Sequence, residues 1–302
     1  MVVSNRYRLS SMTASPRPAF IPGLSAIAAD YDAIICDVWG VIHNGTQANV
    51  ASVEALRRFR SQTNRPVILL TNAPRPSGPI FTQLDGLNVP RDAYDDIVTS
   101  GDATVNHLKS AAVNRYIHIG PKRDLALFEG LDGSFSDDAD GEIIVCTGLH
   151  DDEREEPEDY CVRFEELAGR GLKMVCANPD LVVERGGKLV HCAGALARLY
   201  TEIGGQAQII GKPYAPVYDL TRQRLTALSG SSIPSDRILA IGDGLPTDIQ
   251  GAVNQDLGVL FVTAGIHAAD FGAADSPQPD KVEARLDADG LHADAVMPRL
   301  VW

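Results

Sequence analysis

No run of apolar residues in the 302-residue chain approaches the roughly 18 that a membrane-spanning helix requires, so a soluble protein is expected. Positive charge is also short, with 27 Lys and Arg against 40 Asp and Glu and a formal net charge of −13. A surface this acidic repels phosphate backbones and anionic lipid, which argues against nucleic acid or a membrane surface as partner. It leaves room for a small anionic substrate, because a bound cation or a few donors can reverse the field inside one pocket. Cysteine is scarce and odd in number: Cys36, Cys146, Cys161, Cys176 and Cys192 form no CxxC pair. Most lie in apolar runs such as IIC and MVC, so buried reduced thiols and a cytoplasmic setting are expected, not disulfides or zinc. The first residues lack the apolar segment of a secretory signal. Their Arg6, Arg8 and Arg17, several serines and no acid overlap in composition with a transit peptide. The preferred reading is a disordered leader over 1–20, with Met12 as an alternative start.

What is present is globular: 44% hydrophobic and 22% charged residues, and more length than one ordinary core needs, so two lobes are expected. Short apolar runs alternate with helical periodicity. Ala33–Cys36 reads as a buried strand, Asn49–Thr63 as an amphipathic helix with Val53, Leu56 and Phe59 on one face, and Pro66–Leu70 as the next strand. A helix over Ile80–Leu87, a strand at Ile97–Ser100 and a helix carrying Val105 and Leu108 continue the series. A second set follows, with strand candidates YIHIG, EIIVCTG and LKMVCAN. After it QAQIIGKP, RILAIGDG and GVLFVTAG resume short apolar strands. The alternation predicts an α/β fold with a doubly wound parallel sheet, whose ligands sit beyond the carboxyl ends of its strands. The acidic tract Asp151–Asp159 reads as a solvated helix start. The last thirty residues read as an irregular tail docking through Val296, Leu300 and Trp302.

The polar residues that follow the apolar runs carry the chemistry. The first run ends in Asp37, the second in Thr71-Asn72, a third in Gly211-Lys212-Pro213, and a fourth in Gly242-Asp243-Gly244 with Asp248 just beyond. Parallel packing predicts that all of them meet at one edge of the sheet. A carboxylate at a pocket mouth can attack phosphorus and form an aspartyl-phosphate, dividing a hard hydrolysis into two displacements. Two anions approaching each other need a cation, and Mg²⁺ prefers oxygen ligands. Asp37 and Asp243 can supply carboxylate oxygens and Trp39 its backbone carbonyl, while Asp248 binds the metal or one of its waters. Lys212 supplies a fixed positive charge and Thr71 a donor to the phosphoryl group. Singly, each signal has a plain alternative: a strand-end Asp is commonly a turn or cap residue, GKP a turn, and GDGLPTD a fragment of a dinucleotide loop without its third glycine. The ordered set is far more specific than any member.

That set, from YDAIICDVWGVIHNG through LLTNAPR, IVTSGDAT, CANPD and GKPYAPVYD to IGDGLPTDI, resembles the haloacid dehalogenase (HAD) superfamily, and within it the class IIA, NagD-like branch. The resemblance implies Asp37 as nucleophile, Thr71 and Lys212 as the phosphoryl clamp, and Asp243 with Asp248 as metal acids. It implies a core domain over 21–112 and 207–302 and an inserted α/β cap of the C2 type over 113–206. Asn178-Pro179-Asp180 matches a cap loop that contacts the leaving group, and Asn72 and Gly244 complete the expected substrate contacts; an Asx-Pro turn is the plain alternative for the NPD segment. A Mg²⁺-dependent phosphomonoesterase acting on a small phosphorylated, sugar phosphate-like metabolite is thereby implied, and cap domains of this branch often dimerise.

One position departs from the pattern. Such phosphatases usually carry a second Asp two residues after the nucleophile, to protonate the leaving oxygen and activate water, and here that place holds Trp39. General acid–base assistance is worth about 10²–10⁴-fold, so its loss weighs most on poor leaving groups. A DxWGV motif resembles that of a subgroup of predicted hydrolases. His43 is a candidate substitute acid or base, with a turn residue beside Asn-Gly as the plain reading. A phosphoryl-binding or sensing protein with little turnover is therefore the alternative function.

Overall fold

A computed structural model describes residues 17–185 and 188–302. In chain order the strands are β1 Ala19–Phe20, β2 Ala33–Asp37, β3 Val67–Thr71, β4 Asp96–Thr99, β5 Arg115–Ile119, β6 Ser134–Phe135, β7 Ile143–Cys146, β8 Lys173–Cys176, β9 Val182–Arg185, β10 Lys188–His191, β11 Gln206–Ile209, β12 Ile238–Gly242, β13 Gly258–Val262, β14 Gly272–Ala273, β15 Ser276–Pro277 and β16 Ala295–Met297. The α-helices are α1 Val50–Thr63, α2 Ser77–Gly86, α3 Ser100–Ala111, α4 Cys161–Gly169, α5 Ala193–Glu202, α6 Ala215–Ser229, α7 Gln250–Asn254 and α8 Pro279–Asp289. A seven-stranded parallel sheet runs in the order β1-β16-β13-β12-β2-β3-β4, and a second, five-stranded parallel sheet in the order β11-β8-β7-β5-β6. The doubly wound α/β core with a second α/β lobe is the expected fold class.

Pleating explains why the strands read as unbroken apolar runs. In β2 the side chains of Ala33 and Ile35 enter one core while Ile34 and Cys36 enter the other, and in β3 Ile68 and Leu70 alternate in the same way with Val67 and Leu69. Helices cover both faces, so every residue of β2, β3, β12 and β13 is buried. Helix α1 begins where Asn49 accepts a hydrogen bond from the Ser52 amide and ends at Asn64 in the left-handed conformation, φ 57°. Helix α3 opens with a reciprocal capping box between Thr99 and Asp102. One apolar cluster is continuous between the lobes, joining Ile35, Ile68 and Phe261 to Leu108, Val145 and Val175. The Ser100 hydroxyl, at the start of α3, also donates to the Ile210 carbonyl in the connection back from the second sheet.

Four expectations change. Gln206–Ile209, read as the first strand of the resumed core, is the edge strand of the second sheet, paired with β8 from Gln206↔Lys173 to Ile209↔Cys176. Its alternating QAQI pattern, half exposed along the strand, suits an edge and not a strand covered on both faces. The last thirty residues are ordered elements: α8 buries Val282 and Leu286 one turn apart, and β16 joins the seven-stranded sheet beside β13. The leader expected over 1–20 lies outside the described residues up to residue 16, but Ala19–Phe20 pair with β16 and cap the sheet edge. The acidic tract does precede α4, yet Asp152 within it is not solvated, since its side chain is only 9% exposed and holds two arginines.

Candidate active site

Register places the sequence-predicted acids together. Cys36 pairs with Ile241 and Asp37 with Leu70, so Asp37, Thr71 and Asp243 emerge at the same carboxyl end of three neighbouring strands. Lys212 arrives differently: it follows β11 of the second sheet and reaches the core's edge from the connection between the lobes. Its Nζ donates to Asp37 Oδ1, to Asp248 Oδ1 at 2.6 Å and to the Leu70 carbonyl at 3.2 Å. Asp37, Thr71, Lys212, Asp243 and Asp248 line a cavity of about 450 Å³, together with Trp39, Asn72, Asp180 and Gly244. Asn178 is buried beside it and lines the neighbouring smaller cavity.

The loops hold Asp243 and Asp248 by backbone contacts that the sequence did not single out. Ile266 N–H donates to Asp243 Oδ2 at 2.8 Å and Gly244 N–H to Asp248 Oδ2 at 3.0 Å, so the Gly244 amide is committed to positioning an acid. A Cβ at Gly265 would lie 1.9 Å from Asp243 Oδ2, and one at Gly40, which has φ +90°, would lie 2.4 Å from the same atom. The only sequence sign of Gly265 is its place just past β13 in VTAG. Asn72 joins the lobes: its Oδ1 accepts from Lys212 N–H at 2.7 Å and its Nδ2 donates to Asp180 Oδ1 at 2.8 Å. Asn178 Oδ1 accepts from Asp180 N–H at 3.0 Å, an Asx turn that aims the Asp180 carboxylate at Asn72.

Three buried carboxylates, Asp37, Asp243 and Asp248, have ligand oxygens within 4.8 Å of one another. With one ammonium among them the formal charge is −3 + 1 = −2, which a divalent cation matches. Burial, then Asp248, then Asp243 push Asp37 well above the usual carboxylate range despite the opposing pull of Lys212, and burial with Asp248 pushes Asp243 up to about 7. Burial works against the Lys212 ammonium, but Asp248 and Asp37 outweigh it and hold its pKa above the ordinary lysine value. Carboxylates forced together with their ionised forms disfavoured are the donor set that a hard cation relieves, so the residues fit Mg²⁺.

The position two residues past Asp37 is filled by an indole that packs edge-on against His43, centroids 5.1 Å apart, and over the backbone of Gly45. His43 is buried, accepts a hydrogen bond from Gly45 N–H at its Nδ1 (2.9 Å), and is held by burial at a pKa of about 4. It is thus a neutral imidazole whose Nδ1 fixes the loop, and it also lines the main cavity.

Residues 34–133 match a sequence model described as haloacid dehalogenase-like hydrolase, and residues 209–288 one described as HAD-hydrolase-like. A solved hydrolase of the haloacid dehalogenase-like family from Brucella suis 1330 superposes with a TM-score of 0.83 at 41% identity, over 92% of this chain and 99% of that one. The chain belongs to the haloacid dehalogenase-like hydrolases. Among curated proteins, the hydrolase is 26% identical to D-glycerol 3-phosphate phosphatase of Mycobacterium tuberculosis over 304 residues, 92% of this chain and 77% of that protein. NagD from Escherichia coli K-12 shares the fold, with a TM-score of 0.66 at 19% identity over 89% of this chain and 96% of that one. The hydrolase thus has the NagD-like fold, and its two matched segments flank the stretch that carries most of the second sheet.

Proposed function

We propose that the protein is a Mg²⁺-dependent phosphomonoesterase acting on a small phosphorylated metabolite, with Asp37 as nucleophile. The observation that carries this is the buried trio Asp37, Asp243 and Asp248 with the Lys212 ammonium between two of them, at the floor of one cavity. The named relatives that are phosphatases support it. We read the lobe holding β5 to β11 as the cap and the seven-stranded lobe as the core. Asp37, Asp243, the Trp39 carbonyl and Asp248, directly or through water, would hold the cation, which supplies charge neutralisation for the transferring group.

In the first step an Asp37 carboxylate oxygen bonds to phosphorus as the bond from phosphorus to the leaving oxygen breaks, giving an aspartyl-phosphate and an alkoxide that takes a proton from solvent. In the second, water attacks phosphorus, releases phosphate and restores Asp37. Lys212 and the Thr71 hydroxyl bear the charge that grows on the equatorial oxygens. Asn72 holds the Lys212 backbone in place. Because Trp39 replaces the usual acid, good leaving groups turn over best. Purified protein with Mg²⁺ should release phosphate from p-nitrophenyl phosphate and from members of a metabolite panel, with Asp37→Asn as blank. No release from any ester, or equal release by Asp37→Asn, overturns the reading.

Trp39 favours one second reading, a phosphoryl-ligand binding or sensing protein with slow turnover. Its test is Trp39→Asp: a gain of about 10²-fold or more supports this reading. A loss assigns the indole to a working site, consistent with its packing on His43 and Gly45.

A further inference from the structure

The loop between β2 and α1 leaves one buried donor without an acceptor. His43 is only 3% exposed, and all but one of its polar atoms are committed within the loop. Its N–H donates to the Val38 carbonyl at 3.1 Å, its carbonyl accepts from Gly40 N–H at 2.8 Å, and its Nδ1 accepts from Gly45 N–H at 2.9 Å. A ring nitrogen that accepts does not carry the hydrogen, so this bond places the hydrogen on Nε2 and makes Nε2 a donor. Among the described residues Nε2 has no hydrogen-bond partner. Nor is it sealed in the core, where the unpartnered side-chain atoms among the described residues are Tyr94 OH, His191 Nδ1 and Thr263 Oγ1.

The space it opens on is the one that holds the acids. His43 lines the main cavity with Asp37 and Lys212, and Trp39, His43, Thr71, Asp180 and Val183 stand where that cavity meets its smaller neighbour. The same loop approaches the acids directly, since a Cβ on Gly40, whose N–H the His43 carbonyl holds, would lie 2.4 Å from Asp243 Oδ2. The Trp39 ring meets the imidazole edge-on, at 75° between planes, and so supports the orientation of Nε2–H. In-line displacement puts the leaving oxygen on the side of phosphorus away from Asp37. Among the walls that the acids do not make are this loop and Val182 and Val183 of β9. A buried donor left unpaired is unfavourable, and one that faces a cavity is satisfied by what enters it.

We propose that His43 Nε2–H donates a hydrogen bond to the leaving oxygen of the phosphomonoester, a catalytic contact from the loop whose Trp39 stands where an acid is usual; the inference rests on the phosphomonoesterase reading above. As the bond from phosphorus to that oxygen breaks, its electron pair stays on the oxygen and the hydrogen bond strengthens. The hydrogen remains on Nε2, and the oxygen takes its proton from solvent. A preorganised donor aimed where charge develops is worth about 10²–10³-fold, and its value falls as the leaving group stabilises its own charge.

Two variants separate this contact from the loop's geometry. Asparagine places an amide oxygen where Nδ1 accepts from Gly45 and removes the outer donor, whereas glutamine places an N–H near Nε2 and gives up the Gly45 acceptor. For the full chain with Mg²⁺, kcat/KM is measured over aryl and alkyl phosphates with leaving groups from dinitrophenol to simple alcohols. His43→Asn should lose at least about tenfold more on the poorest leaving group than on the best, and His43→Gln should show a smaller gap. A loss of one size along the whole series, or a gap larger in His43→Gln than in His43→Asn, assigns His43 to the loop alone and overturns the proposal. NMR of isotope-labelled histidine nitrogens in the wild-type chain gives a check that needs neither turnover nor a folded variant: His43 should carry its hydrogen on Nε2, and hydrogen on Nδ1 overturns the proposal. Failure of the wild type to release phosphate from any ester refutes the phosphatase itself and the donor with it, a result distinct from a uniform loss.

Discussion

Replacing Lys212 by Met tests the electrostatics on which the site rests. The side chain is buried, with 4% of its surface exposed, and its ammonium contacts Asp37, Asp248 and the Leu70 carbonyl. Methionine keeps most of the volume and removes the charge, taking the formal charge of the cluster from −2 to −3. Removing one partner of a buried ionic cluster costs about 3–5 kcal/mol, since the remaining charges stay desolvated. At about 2 °C per kcal/mol for a chain of this size, the metal-free variant should melt about 6–10 °C below wild type at pH 7.5. Under the proposed Mg²⁺ dependence the cation would bind the folded site alone, and binding at a hundredfold excess over Kd would add about 2.7 kcal/mol. A more negative site attracts the cation more strongly, so 10 mM Mg²⁺ should raise the variant's melting temperature by more than it raises that of wild type. The assay is differential scanning fluorimetry in EDTA and in Mg²⁺, with exposed Lys188→Met as control. A Lys212→Met protein that melts within about 1 °C of wild type in EDTA, or equal Mg²⁺ shifts in both proteins, would refute the account of a charge-frustrated cation site.

Asn72→Ala removes the acceptor for the buried Lys212 N–H and the donor to the half-buried Asp180. At about 1–3 kcal/mol for each group left unsatisfied, it should cost about 2–5 kcal/mol in urea unfolding, and a loss under 1 kcal/mol contradicts the clamp. Gly265→Ala places a Cβ 1.9 Å from Asp243 Oδ2, so the carboxylate must move, and the Mg²⁺ shift in melting temperature should fall by at least half; a full shift would show that Asp243 tolerates displacement. His118 is held at a pKa of about 4 by burial, then by His150 and Arg163, below the unfolded value of about 6.5. The folded state thus binds fewer protons, and stability is full above about pH 6.5 and lost as pH falls towards 4. The loss is on the order of 2 kcal/mol at pH 4.5. His118→Asn should flatten the fall in urea midpoint between pH 7 and pH 4.5 relative to wild type, and an unchanged slope would place the acid sensitivity elsewhere.

The residues that sequence reading reached most securely are those at the ends of buried parallel strands. Asp37, Thr71 and Asp243 each follow an apolar run and a change to polar turn chemistry, signals that are local and need no knowledge of neighbours. Where the signal was weak the reading failed for identifiable reasons. The three-residue strand Ala295–Met297 is too short to show a period, and Gln206–Ile209 was read by its position after the second set when its alternation fits an edge. His43 read as a turn residue or a catalyst, and the structure shows its Nδ1 accepting from the Gly45 amide while the ring lines the main cavity beside Trp39.

Sequence by itself therefore determined the alternating α/β order, the acidic balance and the identities of the carboxylates and the lysine. Those properties are written in local periodicity and in the chemistry of single residues. Only the tertiary structure decided that Lys212 enters from the second sheet's edge strand, that Asn72 holds it while gripping Asp180, and that Arg75, Arg123 and Arg185 converge on one recess beside Thr71. The Asn72 contacts and the convergence of the arginines join residues some fifty to 140 positions apart, and no local pattern encodes them. They exist because a continuous apolar cluster fixes the two lobes against one another, and the polar side chains at their junction must then satisfy each other or await a ligand.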